Sequence, residues 1–262
     1  MLSVDVAGLR IAYRRSGHGE PLLLLHGAFS DSREWRRQLD GLSDSLDVIA
    51  VDCPGCGGSD DAPEGFTIQD FADCLAGFLR ALDVGHPYVG GLSFGSLYAL
   101  ALYRHHPAIP RRLILASAYA GWAGSLPPHE VARRKRWVYE ILDRPVEEWG
   151  ADFLATVYRD PTPTDVQAEA MDILRDVRPE GFRPAAEAFL DADLRDVLPL
   201  ISVPTLLLYG ERDERSPLHV ANDLHAQIGG SRLVVVPGTG HGINVEAPEE
   251  FNAAVREFLS GL

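Results

Sequence analysis

The strongest chemical signal in the sequence is a Gly-x-Ser-x-Gly segment, which spans Gly91 to Gly95 with Ser93 at its centre. It follows a short apolar run that begins at Tyr88 and precedes a helical pattern over Ser96–Tyr103. A chain that turns sharply from a strand into a helix needs small residues around the apex, and the apex side chain is then exposed. Ser93 is therefore predicted to be a nucleophile. The alternative is a structural serine in a glycine-rich turn.

A serine hydroxyl is a weak nucleophile until an adjacent base takes its proton. Among the nine histidines, His241 has the best context, because it lies in the glycine-flanked loop Pro237–Gly242 directly after the last apolar run. A flexible loop at the end of a strand can aim an imidazole at the nucleophile. His26 is the alternative base, although its predicted task is to hold its own loop by hydrogen bonding.

The third catalytic group should fix the imidazole tautomer and stabilise the imidazolium. Asp213 follows the apolar run Thr205–Tyr209 and is the predicted acid. Glu211 and Glu214 are its rivals, and the spacing alone leaves them open.

Attack on a carbonyl also requires donors for the oxyanion, and two backbone amides are predicted to supply them. The loop His26–Phe29 follows the second predicted strand, where an amide can point at the nucleophile. The Ala28 N–H is expected to act together with the N–H of Phe94, the residue after Ser93. Removing one such donor typically costs about 3–4 kcal/mol of transition-state stabilisation.

The elements that must position these groups follow a strand–helix alternation. Short continuous apolar runs are typical of parallel strands buried on both faces, and they fall at Leu22–Leu25, Val48–Val51, Tyr88–Gly90, Leu113–Ala116, Thr205–Tyr209 and Leu233–Val236. The near-alternating segment Leu9–Arg14 predicts a half-exposed edge strand. Helical patterns lie between the strands, with Thr67 as a predicted N-cap and Pro248 at a helix start. The fold class is therefore α/β, a doubly wound and mostly parallel sheet.

Residues 121–194 break this alternation, since they contain helical stretches, many prolines and no convincing strand. They are predicted to form a helical cap inserted into a core made of residues 1–120 and 195–262. Five aromatic residues of this insertion either form an apolar lid over the site or pack inside the insertion itself, and the second interpretation is favoured. They are Trp122, Trp137, Trp149, Phe153 and Tyr158. Phe29, Trp122, Trp137 and Trp149 are the candidates to bind substrate. One cation of Arg133–Arg136 is a candidate to face the cleft, but a solvated basic face is the favoured interpretation.

Composition limits the partners and the chemistry. The formal net charge is −14, with 38 acidic against 24 basic residues, so nucleic acid and anionic membranes are poor partners. Lys135 is the only lysine, which leaves little room for Schiff-base chemistry. Cys53 and Cys56 have redox-motif spacing, but no thioredoxin-like pattern surrounds them. The first residues lack the pattern of a signal peptide, and the longest apolar run, Pro21–Leu25, is too short to span a membrane, so the cytoplasm is the expected location.

These motifs together resemble the α/β-hydrolase superfamily, and the resemblance covers essentially the whole chain. The matching pieces are His26–Ala28, the Asp-x-Pro-Gly-x-Gly-x-Ser turn Asp52–Ser59, Gly91–Gly95, Gly210–Asp213 and Gly240–His241. They come in the family order, with Ser before Asp before His. The chain departs from the family at Cys56, where arginine or histidine is common. That position lies in a structural turn and does not put the triad in doubt.

Among the branches of this superfamily, the length and the helical insertion look most like 3-oxoadipate enol-lactonases and small carboxylesterases. The resemblance implies a serine hydrolase of small or medium esters or lactones that needs no metal and no organic cofactor. A nucleophilic serine argues against haloalkane dehalogenase and epoxide hydrolase chemistry. Two alternatives remain open: a C–C bond hydrolase acting on a ring-fission diketone, and a non-catalytic ligand-binding protein. The oligomeric state is not predicted.

Overall fold

The computed structural model describes residues 1–159 and 162–261. Its centre is one eight-stranded sheet in the order β1-β2-β4-β3-β5-β6-β7-β8. In chain order the strands are β1 (Leu2–Val6), β2 (Leu9–Gly17), β3 (Glu20–Leu25), β4 (Leu46–Val51), β5 (Tyr88–Leu92), β6 (Arg112–Ala116), β7 (Thr205–Gly210) and β8 (Arg232–Val236). The strands from β4 to β8 across the sheet are parallel, and β1 and β2 add an antiparallel hairpin. The predicted doubly wound, mostly parallel α/β fold is confirmed.

Two details of the predicted sheet are wrong. The segment Leu9–Arg14 is not an edge strand, because β2 pairs with β1 on one side and with β4 on the other. The true edge, β1, was not predicted. The sequence also predicts that β8 is buried on both faces. In the structure β8 is the strand at the opposite edge of the sheet and pairs with β7 on one side. Its residues are consequently more exposed than those of the central strands, and Val235 is 37% exposed.

Eleven α-helices lie within the described residues. They are α1 (Arg36–Leu42), α2 (Ile68–Ala81), α3 (Phe94–His105), α4 (Trp122–Ser125), α5 (Pro128–Leu142), α6 (Gly150–Val157), α7 (Thr164–Arg175), α8 (Pro179–Phe189), α9 (Leu218–Gln227), α10 (Ile243–Glu246) and α11 (Pro248–Ser260). Short 3₁₀ turns span Ser32–Trp35, Val146–Glu148 and Leu198–Leu200. Thr67 caps α2 as predicted, in a reciprocal capping box with Asp70. None of the helices in the part of the chain described is long and apolar enough to cross a membrane.

The register of the sheet brings the functional loops to one edge. Leu25 at the end of β3 pairs with Val51 at the end of β4 and with Gly91 near the end of β5. On the other side, Gly210 at the end of β7 pairs with Val236 at the end of β8. Because parallel strands end at the same edge, the loops after them start side by side, as ligand sites in open α/β sheets require.

The described part of residues 121–194 is helical and contains α4 to α8. These helices follow β6 and precede β7, which is where the sequence predicts an inserted cap. The main-chain oxygen of Val157, at the end of α6, accepts hydrogen bonds from the N–H groups of His241 and Gly242. The insertion therefore touches the loop that carries the predicted base.

Candidate active site

Ser93 occupies a strained turn between β5 and α3. Its φ is 53° and its ψ is −112°, a backbone conformation that non-glycine residues rarely adopt. The two flanking glycines are required by space: a Cβ on Gly91 would lie 2.3 Å from the Gly95 oxygen, and a Cβ on Gly95 would lie 2.0 Å from the Leu25 oxygen. The turn closes only with these small residues, and strain of this kind is a feature of functional sites. Ser93 is half-buried and lines a cavity.

His241 and Asp213 form a buried pair, and His241 lines the same cavity as Ser93. The His241 Nδ1 lies 3.0 Å from Oδ1 and 2.9 Å from Oδ2 of Asp213. Asp213 Oδ1 also accepts hydrogen bonds from the N–H groups of Arg215 and Ser216, at 2.9 and 2.8 Å. These bonds fix the Asp213 carboxylate. The His241 Nδ1 therefore carries a proton and donates it in a hydrogen bond to this carboxylate. The His241 Nε2 is buried and has no hydrogen-bond partner among the described residues.

Burial and the attraction between Asp213 and His241 shift the pKa of each residue in opposite directions, and a different effect prevails in each residue. Burial alone would raise the pKa of Asp213, but the charge of His241, its hydrogen bond and the Ser216 N–H outweigh it and hold that pKa below its ordinary value. For His241, burial lowers the pKa and outweighs the Asp213 carboxylate, which raises it. The nearby cations Arg215 and Arg134 lower it further. The imidazole is therefore neutral at neutral pH, as a general base must be.

The rival acids and the rival base have other partners. The Glu211 side chain accepts a hydrogen bond from the Gly238 N–H at 3.0 Å, and Glu214, whose side chain is 79% exposed, pairs with Arg159. His26 is buried, bonds the Gly27 oxygen through Nδ1 at 2.8 Å and accepts the Cys53 N–H at Nε2. Both of its ring nitrogens are occupied, so His26 holds the loop after β3, as expected, and is not free to act as a base.

The two predicted oxyanion donors belong to Phe94, the residue after Ser93, and to Ala28 in the loop after β3. Phe94 is the first residue of α3, where an N–H has no acceptor within the helix. Ala28 lies on the wall of the same cavity as Ser93. The next residue, Phe29, has a φ of 57°, so the backbone of this loop also turns through the left-handed region. The pair of donors stays a prediction.

A cavity of about 650 Å³ joins the candidate residues, and Ser93, His241, Ala28 and Phe29 all lie on its wall. The three predicted tryptophans lie elsewhere. Trp137 and Trp149 pack edge-on or tilted against Phe29, and Trp122 lies under the guanidinium of Arg134. The interpretation of these tryptophans as packing residues therefore fits the structure, and the cavity gives no support to their prediction as substrate-binding residues. From the insertion, the wall instead includes Phe153, Leu154, Val157, Tyr158 and several residues of α7.

Within the basic run Arg133–Arg136, Arg134 points inward, but its donors are used inside the protein. They go to Glu130, to the Tyr119 hydroxyl and to the Arg215 main-chain oxygen. Arg133 is exposed and pairs with Glu130. Arg133 and Arg136 are exposed, as the favoured interpretation of a solvated face expects, whereas Arg134 has a structural role.

The cysteines of the redox-like motif are free and buried. Burial raises the pKa of both the Cys53 and the Cys56 thiol, which is the opposite of what a reactive thiolate needs. The turn that carries them is a packing element, since a Cβ on Gly55 would lie 1.9 Å from the Gly181 oxygen of α8.

Several charged residues that sequence reasoning missed line the cavity, and Glu34 and Arg215 are two of them. Glu34 lies in the 3₁₀ turn Ser32–Trp35, and its Oε2 accepts the Gly27 N–H at 2.8 Å. Arg215 lies in the loop after β7. No motif marks either residue, because only the fold brings them to the wall.

Glu34→Gln tests the electrostatic state of this carboxyl. Burial raises the pKa of Glu34 from 4.5 to about 7, and the charge of Asp31 adds to the effect. A raised folded-state pKa gives stability that is present below the unfolded pKa and lost as pH rises through the folded pKa. Glutamine keeps an acceptor for the Gly27 N–H but cannot ionise. Relative to wild type, the variant is expected to become more stable between about pH 5 and pH 8, by at most about 3 kcal/mol.

The measurement is urea unfolding of both proteins at the two pH values. A difference in the free energy of unfolding that does not change with pH would contradict the assigned ionisation of Glu34. Asp40→Asn is a control, because Asp40 lines the same cavity and its side chain is exposed.

An eight-stranded α/β sheet with a strained serine turn at its carboxyl edge defines the architectural class of this protein. The chain belongs to the α/β-hydrolase fold family, whose model matches residues 20–248, and it is a hydrolase of that family. It is 28% identical to the AB hydrolase superfamily protein YisY of Bacillus subtilis over 92% of each chain. It resembles the structure of a thermophilic esterase from Thermogutta terrifontis with a TM-score of 0.89 and 29% identity, covering 99% of this chain and 96% of that one. It also resembles the enol-lactonase from Burkholderia xenovorans, with a TM-score of 0.88 and 25% identity, covering 99% and 100% of the two chains.

Proposed function

We propose that this protein hydrolyses carboxylic esters or lactones of small to medium size through an acyl-enzyme on Ser93. The observation that carries the proposal is the arrangement of three groups on one cavity. Ser93 lies at the apex of a strained turn on the cavity wall, and His241 lines the same wall. Its Nδ1 is held by Asp213, which leaves Nε2 as the nitrogen able to accept a proton.

The proposed reaction has two halves. Ser93 Oγ attacks the carbonyl carbon while His241 Nε2 takes the hydroxyl proton, and the Ala28 and Phe94 N–H groups bind the oxyanion. The intermediate collapses as the imidazolium protonates the leaving alkoxide, which departs as the alcohol. Water then attacks the acyl-enzyme with His241 again as base, and the imidazolium returns the proton to Ser93 Oγ as the acid is released. Asp213 stays ionised throughout and holds the imidazole in the required tautomer.

The names of similar proteins support both substrate classes. One structural neighbour is described as an esterase and another as an enol-lactonase. Ester and lactone hydrolysis differ only in whether the leaving alcohol is tethered to the acyl group. A single site with this chemistry serves both, and the shape of the cavity decides between them.

A substrate panel combined with active-site labelling tests the proposal. We expect turnover of p-nitrophenyl acetate and covalent labelling of Ser93 by a fluorophosphonate, located by mass spectrometry. The panel adds small lactones and a ring-fission dienone acid. Activity on the dienone acid without activity on esters would instead assign C–C bond hydrolysis. Neither turnover nor labelling would favour a ligand-binding role.

The pH dependence of kcat/KM tests His241 as the base. Because burial lowers the pKa of His241 from 6.5, we expect the acidic limb of the profile to lie below pH 6.5 and activity to be flat above it. The profile is measured on a neutral ester, with and without EDTA, since ionisation of a metal-bound water gives a similar limb. A limb above pH 6.5 would contradict the electrostatic account of His241. Loss of activity in EDTA would contradict the cofactor-free reaction.

A further inference from the structure

Arg215 places a cation on the wall of the cavity that also contains Ser93 and His241. Its Nη1 donates a hydrogen bond to the Thr156 hydroxyl at 2.7 Å, and its guanidinium lies 4.9 Å from the centre of the Phe153 ring. No acidic side chain in residues 1–159 or 162–261 forms an ion pair with it. A guanidinium has five N–H donors. The donors that the described residues do not use can therefore serve a ligand in the cavity.

The other cations on this wall differ from Arg215 in their partners or in their position. Arg36 and Arg37 both pair with Glu169, and the remaining ion pairs on the wall are Arg33 with Asp31 and Asp176, and Arg15 with Asp47. Arg14 makes no ion pair among the described residues either, but it lies on β2. This strand is three positions from β5 in the sheet, which is roughly 14 Å at the usual strand spacing. Of the wall cations described, Arg215 is the one without an ion pair that lies in the same loop as Asp213, the partner of His241.

The surroundings of Arg215 leave its charge only partly balanced. Burial lowers the pKa of Arg215, and the like charge of Arg134 acts in the same direction, against the Tyr119 hydroxyl and Asp213. Asp213 already holds His241. Arg215 is half-buried, and a partly desolvated cation without a full counter-charge is unfavourable, so an anionic ligand group reduces that penalty. The net charge of −14 repels anions, so a local cation favours the binding of an anion in this cavity.

We propose that Arg215 binds a carboxylate of the substrate, so that the preferred substrates are esters or lactones that carry a free carboxylate. The planar guanidinium matches the geometry of a carboxylate and binds it through parallel N–H donors. One guanidinium without an ion pair among the described residues suits a single negative charge better than a phosphate dianion. The inference rests on hydrolysis by Ser93 as proposed above. It makes Arg215 a determinant of substrate specificity, with no part in bond cleavage.

The test compares each anionic ester with a neutral ester in which a methyl group replaces the carboxylate. Monomethyl glutarate is paired with methyl pentanoate, and 3-acetoxypropionate with propyl acetate, so that the carboxylate lies on the acyl side or on the alcohol side. The measured quantity is the ratio of kcat/KM for the anionic ester to that for its neutral partner. We expect Arg215→Gln to lower this ratio about 10- to 100-fold in at least one pair. Arg215→Lys should lower it less, because the charge remains but the fork of donors is lost.

Arg133→Gln is the matched control. It removes the same charge from a nearby position whose side chain is 66% exposed, and it should leave the ratio unchanged. A ratio that Arg215→Gln and Arg215→Lys leave unchanged in both pairs, while the esters are hydrolysed, would overturn the inference and leave the proposed hydrolysis intact. Thermal unfolding of each variant establishes that it is folded.

Calorimetry separates the inference from the proposed function. Glutarate is titrated into Ser93→Ala, where turnover plays no part, and into Ser93→Ala combined with Arg215→Gln. Binding that requires Arg215 supports carboxylate recognition even if no ester is hydrolysed. Equal binding to the two proteins, or no binding to either, together with an unchanged kinetic ratio, would overturn it.

Discussion

Ser93→Ala is expected to fold like the wild type and to lose nearly all ester hydrolysis. The variant lacks the only nucleophile that the proposed reaction uses, so attack falls to water. In triad enzymes the loss of the nucleophile costs on the order of 10⁴ to 10⁶ in kcat, and a residual of about 10³-fold over water persists from oxyanion binding. Folding is not expected to suffer, because alanine at the φ of 53° is no more strained than serine.

The measurement is kcat for p-nitrophenyl acetate together with fluorophosphonate labelling. Ser96→Ala is the matched control, since its hydroxyl lies one helical turn away and hydrogen-bonds the Ser93 main-chain oxygen at 2.5 Å. The control should still be labelled on Ser93. A Ser93→Ala protein that keeps more than a tenth of wild-type activity would refute the assignment of the nucleophile.

The central strands could be predicted from sequence because burial on both faces demands continuous apolar residues. The edges could not, and the hairpin of β1 and β2 shows why. Its two-residue turn has positive φ at Ala7 and Gly8, 52° and 88°, as a type I′ turn requires. Alanine in the first of these positions hides the usual Asn-Gly or Gly-Gly signal. β1 itself is mostly exposed, so no apolar run marks it.

The candidate catalytic groups could be located because the strained turn and the glycine-flanked loop demand particular residue types at fixed positions. The choice among Glu211, Asp213 and Glu214 could not be made from spacing, because neighbouring loop residues differ only in direction. The structure distinguishes them by burial, since the Asp213 side chain is fully buried against His241 while Glu214 is exposed. Arg215 was missed for the same reason. It lies two residues after Asp213, and spacing alone does not show that the path of the loop places it on the cavity wall.

Asp213→Asn is expected to lower kcat on the order of 10⁴-fold by selecting the wrong imidazole tautomer. The hydrogen bonds of the loop explain how. Asp213 Oδ1 accepts the N–H groups of Arg215 and Ser216, so the oxygen of asparagine should take this position. The amide NH₂ then replaces Oδ2 and donates to His241 Nδ1. The imidazole proton must move to Nε2, which can no longer accept the Ser93 proton.

The kinetics of p-nitrophenyl acetate hydrolysis check this expectation, with Glu211→Gln and Glu214→Gln as controls. These two glutamates are exposed and bind the Gly238 N–H and Arg159, so each change should cost only a few-fold. KM should change far less than kcat in Asp213→Asn, because the residue touches His241 rather than the substrate. A large loss of kcat in Glu211→Gln or Glu214→Gln, without one in Asp213→Asn, would show that the hydrogen bond between Asp213 and His241 does not set the tautomer.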